Sequence, residues 1–251
     1  MINIKSEREI ELMRHAGMLV SKMHKYIKPY IKEGITTNEL DKLCEQFIID
    51  NESVPTCKGY EGYPTATCMS VNDTVVHGIP NNYKLKNGDI ITIDVVIGYQ
   101  GYQGDAAWTY AVGNISDDKK HLMEHTEKAL YEGIKMVKPG NRIGDISESV
   151  YKYATNHGLS VVRELCGHGI GRDMHEDPDV PNFGKSGTGP VLKEGMVICI
   201  EPMLNLGKRY VYLMDDNWTV KTEDGLPSAH YEHTVLVTKD GYELLTPRLD
   251  D

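Results

Sequence analysis

Two stretches of the chain, KNGDIITIDVV at 86–96 and KEGMVICIEPM at 193–203, repeat each other at an offset of 107. Gly88 matches Gly195, Ile90 matches Val197, Ile93 matches Ile200, and Asp94 matches Glu201. IKEGITTNEL (31–40) and VKPGNRIGDI (137–146) form a second pair at offset 106; HGIP (77–80) and HGIG (168–171) form a third at 91. Three pairs in one order point to a duplicated unit. The second copy carries an insertion before its acid-bearing strand that includes PDVPNFGKSGTGP, a loop by composition. Duplication predicts two halves, about 1–115 and 116–251, related by a pseudo-two-fold axis within one catalytic domain. Any site is then expected between them.

Each half reads as helix, helix, strands. Ser6-x-x-Glu9 and Thr36-x-x-Glu39 have capping-box spacing and open helices ending near Tyr26 and Asp50. Helices are also predicted over about 117–136 and 143–156, separated by Pro139-Gly140, with His157-Gly158 as the stop. Strands are predicted at 90–97, 102–110, 160–164, 196–203, 231–237 and 242–246. Helices segregated from largely antiparallel strands make an α+β layer architecture.

The strand at 90–97 is apolar except for Thr92 and Asp94, and Asp105 follows in the next strand. Gly98 and Gly101 bracket Tyr99-Gln100 as a two-residue turn, which sets Asp94 directly opposite Asp105. Their Cβ atoms would lie roughly 4.5–5.5 Å apart, where like charges repel. Water at a sheet edge, a shared proton or a cation would relieve that. Glu201 occupies the equivalent position in the other half, and Glu232 leads into a further apolar strand. His77, His168 and His175 lie in glycine-rich stretches nearby. Each histidine alone reads as an ordinary buried or turn residue. Four acids together with imidazole are better explained by a divalent metal of the Mn, Fe, Co or Zn type. Four carboxylates exceed what one dication needs, so two bridged ions suit them, as in metal-assisted hydrolysis.

Composition removes other classes. A net charge of −10 argues against a dominant nucleic-acid surface. Lys22, Lys25, Lys28 and Lys32 read as one solvated helix face. Five cysteines with no C-x-x-C pair form neither a disulfide framework nor a zinc knuckle. No run approaches the roughly 18 apolar residues of a membrane span, and MINIKSEREIELMRHAG lacks the apolar core of a signal peptide. A cytoplasmic protein of a reducing compartment is expected.

SVNDTVVHGIP (70–80), ITIDVV (91–96), GDAAWTY (104–110), GHGIGRDMHEDP (167–178), IEPM (200–203), NWTVKTEDG (217–225) and YEHTVLVT (231–238) together resemble type I methionine aminopeptidases. The resemblance runs in order over nearly the whole chain. It implies the pita-bread fold, a curved antiparallel sheet covered by helices, and removal of the N-terminal methionine from nascent chains with a small second residue. It implies five metal ligands: Asp105 and Glu232 bridging two divalent ions, His168 and Glu201 completing one site, Asp94 the other. A metal-bound water or hydroxide would attack, Glu201 would shuttle the proton, His175 would contact the carbonyl oxygen, and His77 the scissile amide. Cys57, Tyr60, Tyr63, Cys68, Met174 and Trp218 would line the methionine pocket, although burial alone also explains the two cysteines. A monovalent cation is expected near Asn72, Thr74 and Ser228. The expected partners are nascent N-termini and the ribosome, through the Lys22–Lys32 face, with no membrane and a monomeric state.

Departures from the resemblance are visible. Met174 stands where an aromatic is usual, Ala106 where a hydroxyl is common, and Glu61 where some bacterial relatives have histidine. His233 reads as supporting or structural rather than ligating, and His15, His24, His121, His125 and His157 sit in polar helix-like stretches without an assigned role. The alternatives are a non-catalytic binding protein on the same fold, and an aminopeptidase of other specificity.

Overall fold

The structure is a computed structural model and describes residues 1–249. Both capping boxes form. Glu9 accepts from the Ser6 N–H and hydroxyl at 2.8 Å each, opening α1 (Glu7–Ile27). Glu39 does the same for Thr36 at 2.8 and 2.7 Å, opening α2 (Thr37–Asp50). In the second half α3 spans Asp117–Ile134 and α4 spans Ile143–Asn156, with Gly158 at φ 73° just beyond.

The first half continues with β1 (Val54–Pro55), β2 (Cys68–Val71), β3 (Thr74–Val76), β4 (Ile90–Tyr99) and β5 (Tyr102–Ala111). The second half has β6 (Ser160–Val161), β7 (Gly167–Gly169), β8 (Glu176–Val180), β9 (Val197–Ile200) and β10 (Met203–Asn205). Then come β11 (Val211–Leu213), β12 (Val220–Thr222), β13 (Ser228–His230), β14 (His233–Val237) and β15 (Tyr242–Leu244). All pairings between these strands are antiparallel. The expected sheet is divided into four hydrogen-bonded sheets among the described residues. The expected strand over 196–203 is also cut in two, because Pro202 removes a ladder donor between β9 and β10. Strands β1–β3, β7, β8 and β11–β13 carry too short or too mixed a pattern to be seen in the sequence.

The repeat is physical. Gly34 and Gly140 both have φ 92°, and their N–H groups donate to the carbonyls of Leu85 (2.8 Å) and Leu192 (3.0 Å). Isolated bridges Thr36–Lys84 and Arg142–Val191 follow at equivalent places. Gly88 and Gly195 turn the chain into β4 and β9 at φ 96° and 84°.

One expectation is corrected. The β4–β5 turn is Gln100-Gly101, with Tyr99 paired to Tyr102, not Tyr99-Gln100 between Gly98 and Gly101. Gln100 and Gly101 have φ 47° and 82°, the two positive values a type I′ turn requires. The register therefore moves by two residues. Asp94 faces Ala107 and Asp105 faces Val96, so the acids share one face as diagonal neighbours rather than opposite partners.

Two cores flank this hairpin. Leu19, Val20, Met23 and Ile27 of α1 pack with Leu40 and Ile48 of α2 on Ile91, Ile93, Val95 and Ile97. Leu130, Ile134, Ile146 and Val150 of α3 and α4 pack on Ile198, Ile200 and Leu204. The halves are sewn together beside the acids. Thr234 Oγ1 accepts from the Asp105 N–H (3.0 Å) and donates to its carbonyl (2.8 Å), and the Glu232 N–H donates to the Ala107 carbonyl (2.7 Å). β5 of the first half thus fixes the backbone of an acid from the second.

Candidate metal centre and pocket

A cavity of about 560 Å³ opens between the halves. All five expected ligands, both expected substrate histidines and all six expected pocket residues line it. Asp94 and Asp105 reach it from one face of the β4–β5 hairpin, His168 from β7, Glu201 from the end of β9, and Glu232 from the step before β14.

The donor atoms converge. His168 Nε2 lies 3.4 Å from Glu201 Oε1 and 3.9 Å from Asp105 Oδ2. Donor atoms of Asp105, His168, Cys199 and Glu232 lie within 4.8 Å of one another, as do those of Glu201, His230 and Glu232. Asp94 stands outside both groups but still raises the proton affinity of Asp105 by its charge. At such separations two ionised carboxylates repel by roughly 3–4 kcal/mol at a dielectric typical of protein sites. Burial, and then the neighbouring acids, accordingly push Asp105, Glu201 and Glu232 well above the usual carboxylate range. Burial pushes Asp94 up to about 7.

A divalent ion fits this donor set. Among the described residues, six buried side-chain polar atoms lack a partner, and four are here: Asp105 Oδ1, Glu232 Oε1 and both ring nitrogens of His230. Unpaired buried donors and acceptors are costly, and cations satisfy carboxylates that protein donors do not reach. His168 is oriented for ligation. Its Nδ1 faces the Gly169 carbonyl at 2.9 Å, and burial holds the ring down to about 4, so the neutral ring donates there and presents a free Nε2 lone pair. Cys199 is different: burial pushes its thiol well up and it sits 3.7 Å from Thr234 Oγ1, so it remains a protonated thiol.

Beside the acids lies an apolar pocket. Cys57, Tyr63, Cys68, Val96 and Met174 cluster there, with Tyr60, Ile79 and Trp218 against them. Tyr63 meets Trp218 edge to face at 5.0 Å. Such walls of sulfur and aromatic carbon suit a polarizable thioether. At the mouth, the Tyr60 hydroxyl is 2.9 Å from His175 Nδ1. Burial raises Tyr60 and lowers His175, so the phenol donates to a neutral ring whose Nε2–H remains as a donor. His77, at φ 56°, is held neutral by burial, down to about 4, and meets Trp218 edge to face at 6.4 Å.

His24 is not on a polar face: it is fully buried, stacked on Trp108 at 4.1 Å, with Tyr110 Oη (2.9 Å) and the Ala106 carbonyl (3.3 Å) on its nitrogens. His233 bridges Tyr131 (3.2 Å) and Thr246 (3.1 Å), a structural part. His230 was not singled out from sequence at all. It closes β13, 1% exposed, with Nε2 3.6 Å from Glu201 Oε2 and 4.0 Å from Glu232 Oε2. Its place two residues before Glu232, in HYEH, is the only signal that could have found it.

Comparison with known proteins agrees with this geometry. The sequence profile of Metallopeptidase family M24 matches residues 11–239. Methionine aminopeptidase 1 of Bacillus subtilis is 51% identical over 246 residues, covering 98% of this chain and 99% of that protein. Methionine aminopeptidase of Clostridium perfringens is 48% identical over 246 residues, again 98% and 99%. The crystal structure of methionine aminopeptidase from Rickettsia prowazekii superposes with a TM-score of 0.97 at 44% identity, covering 98% of this chain and all of that one. The shared architecture is the pita-bread fold.

Proposed function

Since the chain belongs to metallopeptidase family M24, and within it to the bacterial-type methionine aminopeptidases, we propose that its acid cluster and apolar pocket excise N-terminal methionine from nascent chains carrying a small second residue. One observation carries this reading: the converging acids and imidazoles adjoin a pocket walled by Cys57, Tyr63, Cys68, Met174 and Trp218 within one cavity. A methionine side chain seated there would bring its free amine and scissile carbonyl to the acids.

Asp94, Asp105, His168, Glu201 and Glu232, which line the cavity, would hold two divalent ions. Bound ions of the Mn, Fe, Co or Zn type supply Lewis acidity and a water acidic enough to act as nucleophile near neutral pH. Glu201 would take the proton from the attacking water and return it to the leaving amine. The His175 Nε2–H, set by Tyr60, donates to the developing oxyanion. His77 contacts the scissile amide from the Trp218 side. A monovalent cation would bind at the corner where the Ser228 N–H meets the Asn72 carbonyl (2.9 Å), beside Thr74. Lys22, Lys25, Lys28 and Lys32 are exposed and would meet the ribosome. The chain works as one catalytic unit of two halves, a cytoplasmic monomer.

The test is methionine release from a Met-Ala-Ser peptide by chelator-stripped protein, before and after Mn²⁺ or Co²⁺. Metal-restored release is expected. Metal binding without release from this peptide, with release from another, would replace the specificity. Folded protein that binds no metal would overturn the reading.

A further inference from the structure

We propose that His230 is a sixth protein donor to the metal centre, a second imidazole on the Glu201–Glu232 side. The resemblance assigns five ligands and this residue is not among them. The inference rests on the metal reading above.

Among the described residues three histidines, His24, His230 and His233, are 1% exposed or less, and their environments differ. His24 and His233 each have both ring nitrogens within 3.3 Å of a protein partner. His230 has neither nitrogen paired. A neutral imidazole always carries one donor and one acceptor, so leaving both unmet in the core is unfavourable. Its backbone is not loosely placed. The His230 N–H donates to Thr109 Oγ1 (3.2 Å) and its carbonyl accepts from the same hydroxyl (2.8 Å). The ring is therefore held with Nε2 aimed between two carboxylates.

The separations choose between a hydrogen bond and a shared ion. Nε2 lies 3.6 Å from Glu201 Oε2 and 4.0 Å from Glu232 Oε2. Both are too long for hydrogen bonds. Donors each about 2.0–2.2 Å from one metal ion stand roughly 3–4 Å apart across ordinary coordination angles. Glu201 is then flanked on both oxygens, Oε1 by His168 at 3.4 Å and Oε2 by His230.

A second nitrogen added to the donor set moves the site toward borderline dications, Fe²⁺, Co²⁺ or Zn²⁺, and away from Mn²⁺. The centre should discriminate against manganese more strongly than a set of four carboxylates with one imidazole.

The first test needs no variant. Chelator-stripped full-length protein is loaded with Co²⁺, and the paramagnetically shifted exchangeable imidazole N–H protons are counted by ¹H NMR. Two signals are expected, from His168 and His230. His230→Gln and His230→Ala, checked for folding by circular dichroism, should each remove one signal. They should weaken Co²⁺ binding by about tenfold or more in calorimetric titration, with a smaller loss for Mn²⁺. One signal in the wild type, with Co²⁺ bound and both affinities unchanged in the variants, would overturn this inference and leave the five-ligand centre standing. No Co²⁺ binding by the folded wild type would overturn both.

Discussion

His168 Nε2 faces Glu201 Oε1 across 3.4 Å, while the other nitrogen of that ring is tied to the Gly169 carbonyl. The pair joins β7 to the end of β9, and the other oxygen of the carboxylate faces His230 Nε2 at 3.6 Å. Glu201→Gln should keep the shape and remove the proton carrier. A loss of roughly 100- to 10,000-fold in kcat is expected, measured as methionine release at saturating metal. The chelator-stripped variant should melt no lower than the wild type, because burial and the neighbouring Asp105 and Asp94 already favour an uncharged side chain at this position, which the amide mimics. Retained turnover would remove Glu201 from the proton path.

Metal removal should soften the whole molecule, since the proposed ligands come from both halves. At a free ion concentration a hundredfold above Kd, binding adds about 2.7 kcal/mol. For a chain of this size that raises Tm by about 5–10 °C. Calorimetry with and without chelator checks it. A midpoint indifferent to saturating Mn²⁺ or Co²⁺ would count against the buried acids as a binding set.

His24 gives a pH signature independent of the centre. Burial lowers its pKa from 6.5 to about 3, so the unfolded chain takes up a proton that the native state refuses between those values. Its contribution is present above pH 6.5 and is lost progressively as pH falls toward 3, at about 1.4 kcal/mol per unit. His24→Phe should flatten the dependence of urea-unfolding free energy on pH by that slope between pH 6 and 4. An unchanged slope would mean the imidazole is protonated in the fold.

Met174 is a flexible side chain in the wall shared with Cys57, Tyr63 and Cys68. Met174→Phe should stiffen that wall. The kcat/KM for an ethionine peptide relative to its methionine counterpart should fall by roughly tenfold, the order of one methylene's discrimination. An unaltered analogue profile would show that the wall is set by Tyr63 and Trp218 instead.

Gly104 lets α1 lie directly on β5. A Cβ there would stand 2.5 Å from the backbone nitrogen of Gly17, with the helix backbone leaving no soft side chain to yield. Gly104→Ala should cost about 1–3 kcal/mol or more, read from denaturant unfolding, with metal stoichiometry preserved. A neutral substitution would show that α1 slides without resistance.

The legible parts of the sequence were those with strong local or repeated signals. Ser6, Glu9, Thr36 and Glu39 gave the helix starts, and the Gly34/Gly140 and Gly88/Gly195 pairs announced the duplication. The hairpin register was misread because Gly98 and Gly101 compete as turn markers, and only the positive φ at Gln100 and Gly101 resolves them. Both readings keep Asp94 and Asp105 on one face, since the slip is two residues. Strands of two or three residues were hidden because their pairing is long-range. His24 and His230 were hidden for a related reason: a polar letter in helix α1 or strand β13 says nothing about the neighbour folded over it.

The Thr234–Asp105 and Glu232–Ala107 stitches also have a consequence in time. Synthesis makes Asp94 and Asp105 before α3 and α4 exist, and Glu232 only after both. A growing chain thus carries half of the acid cluster, and its closing acid has not yet been made. On the proposed ligand set, ion capture would wait until nearly the whole chain has been built.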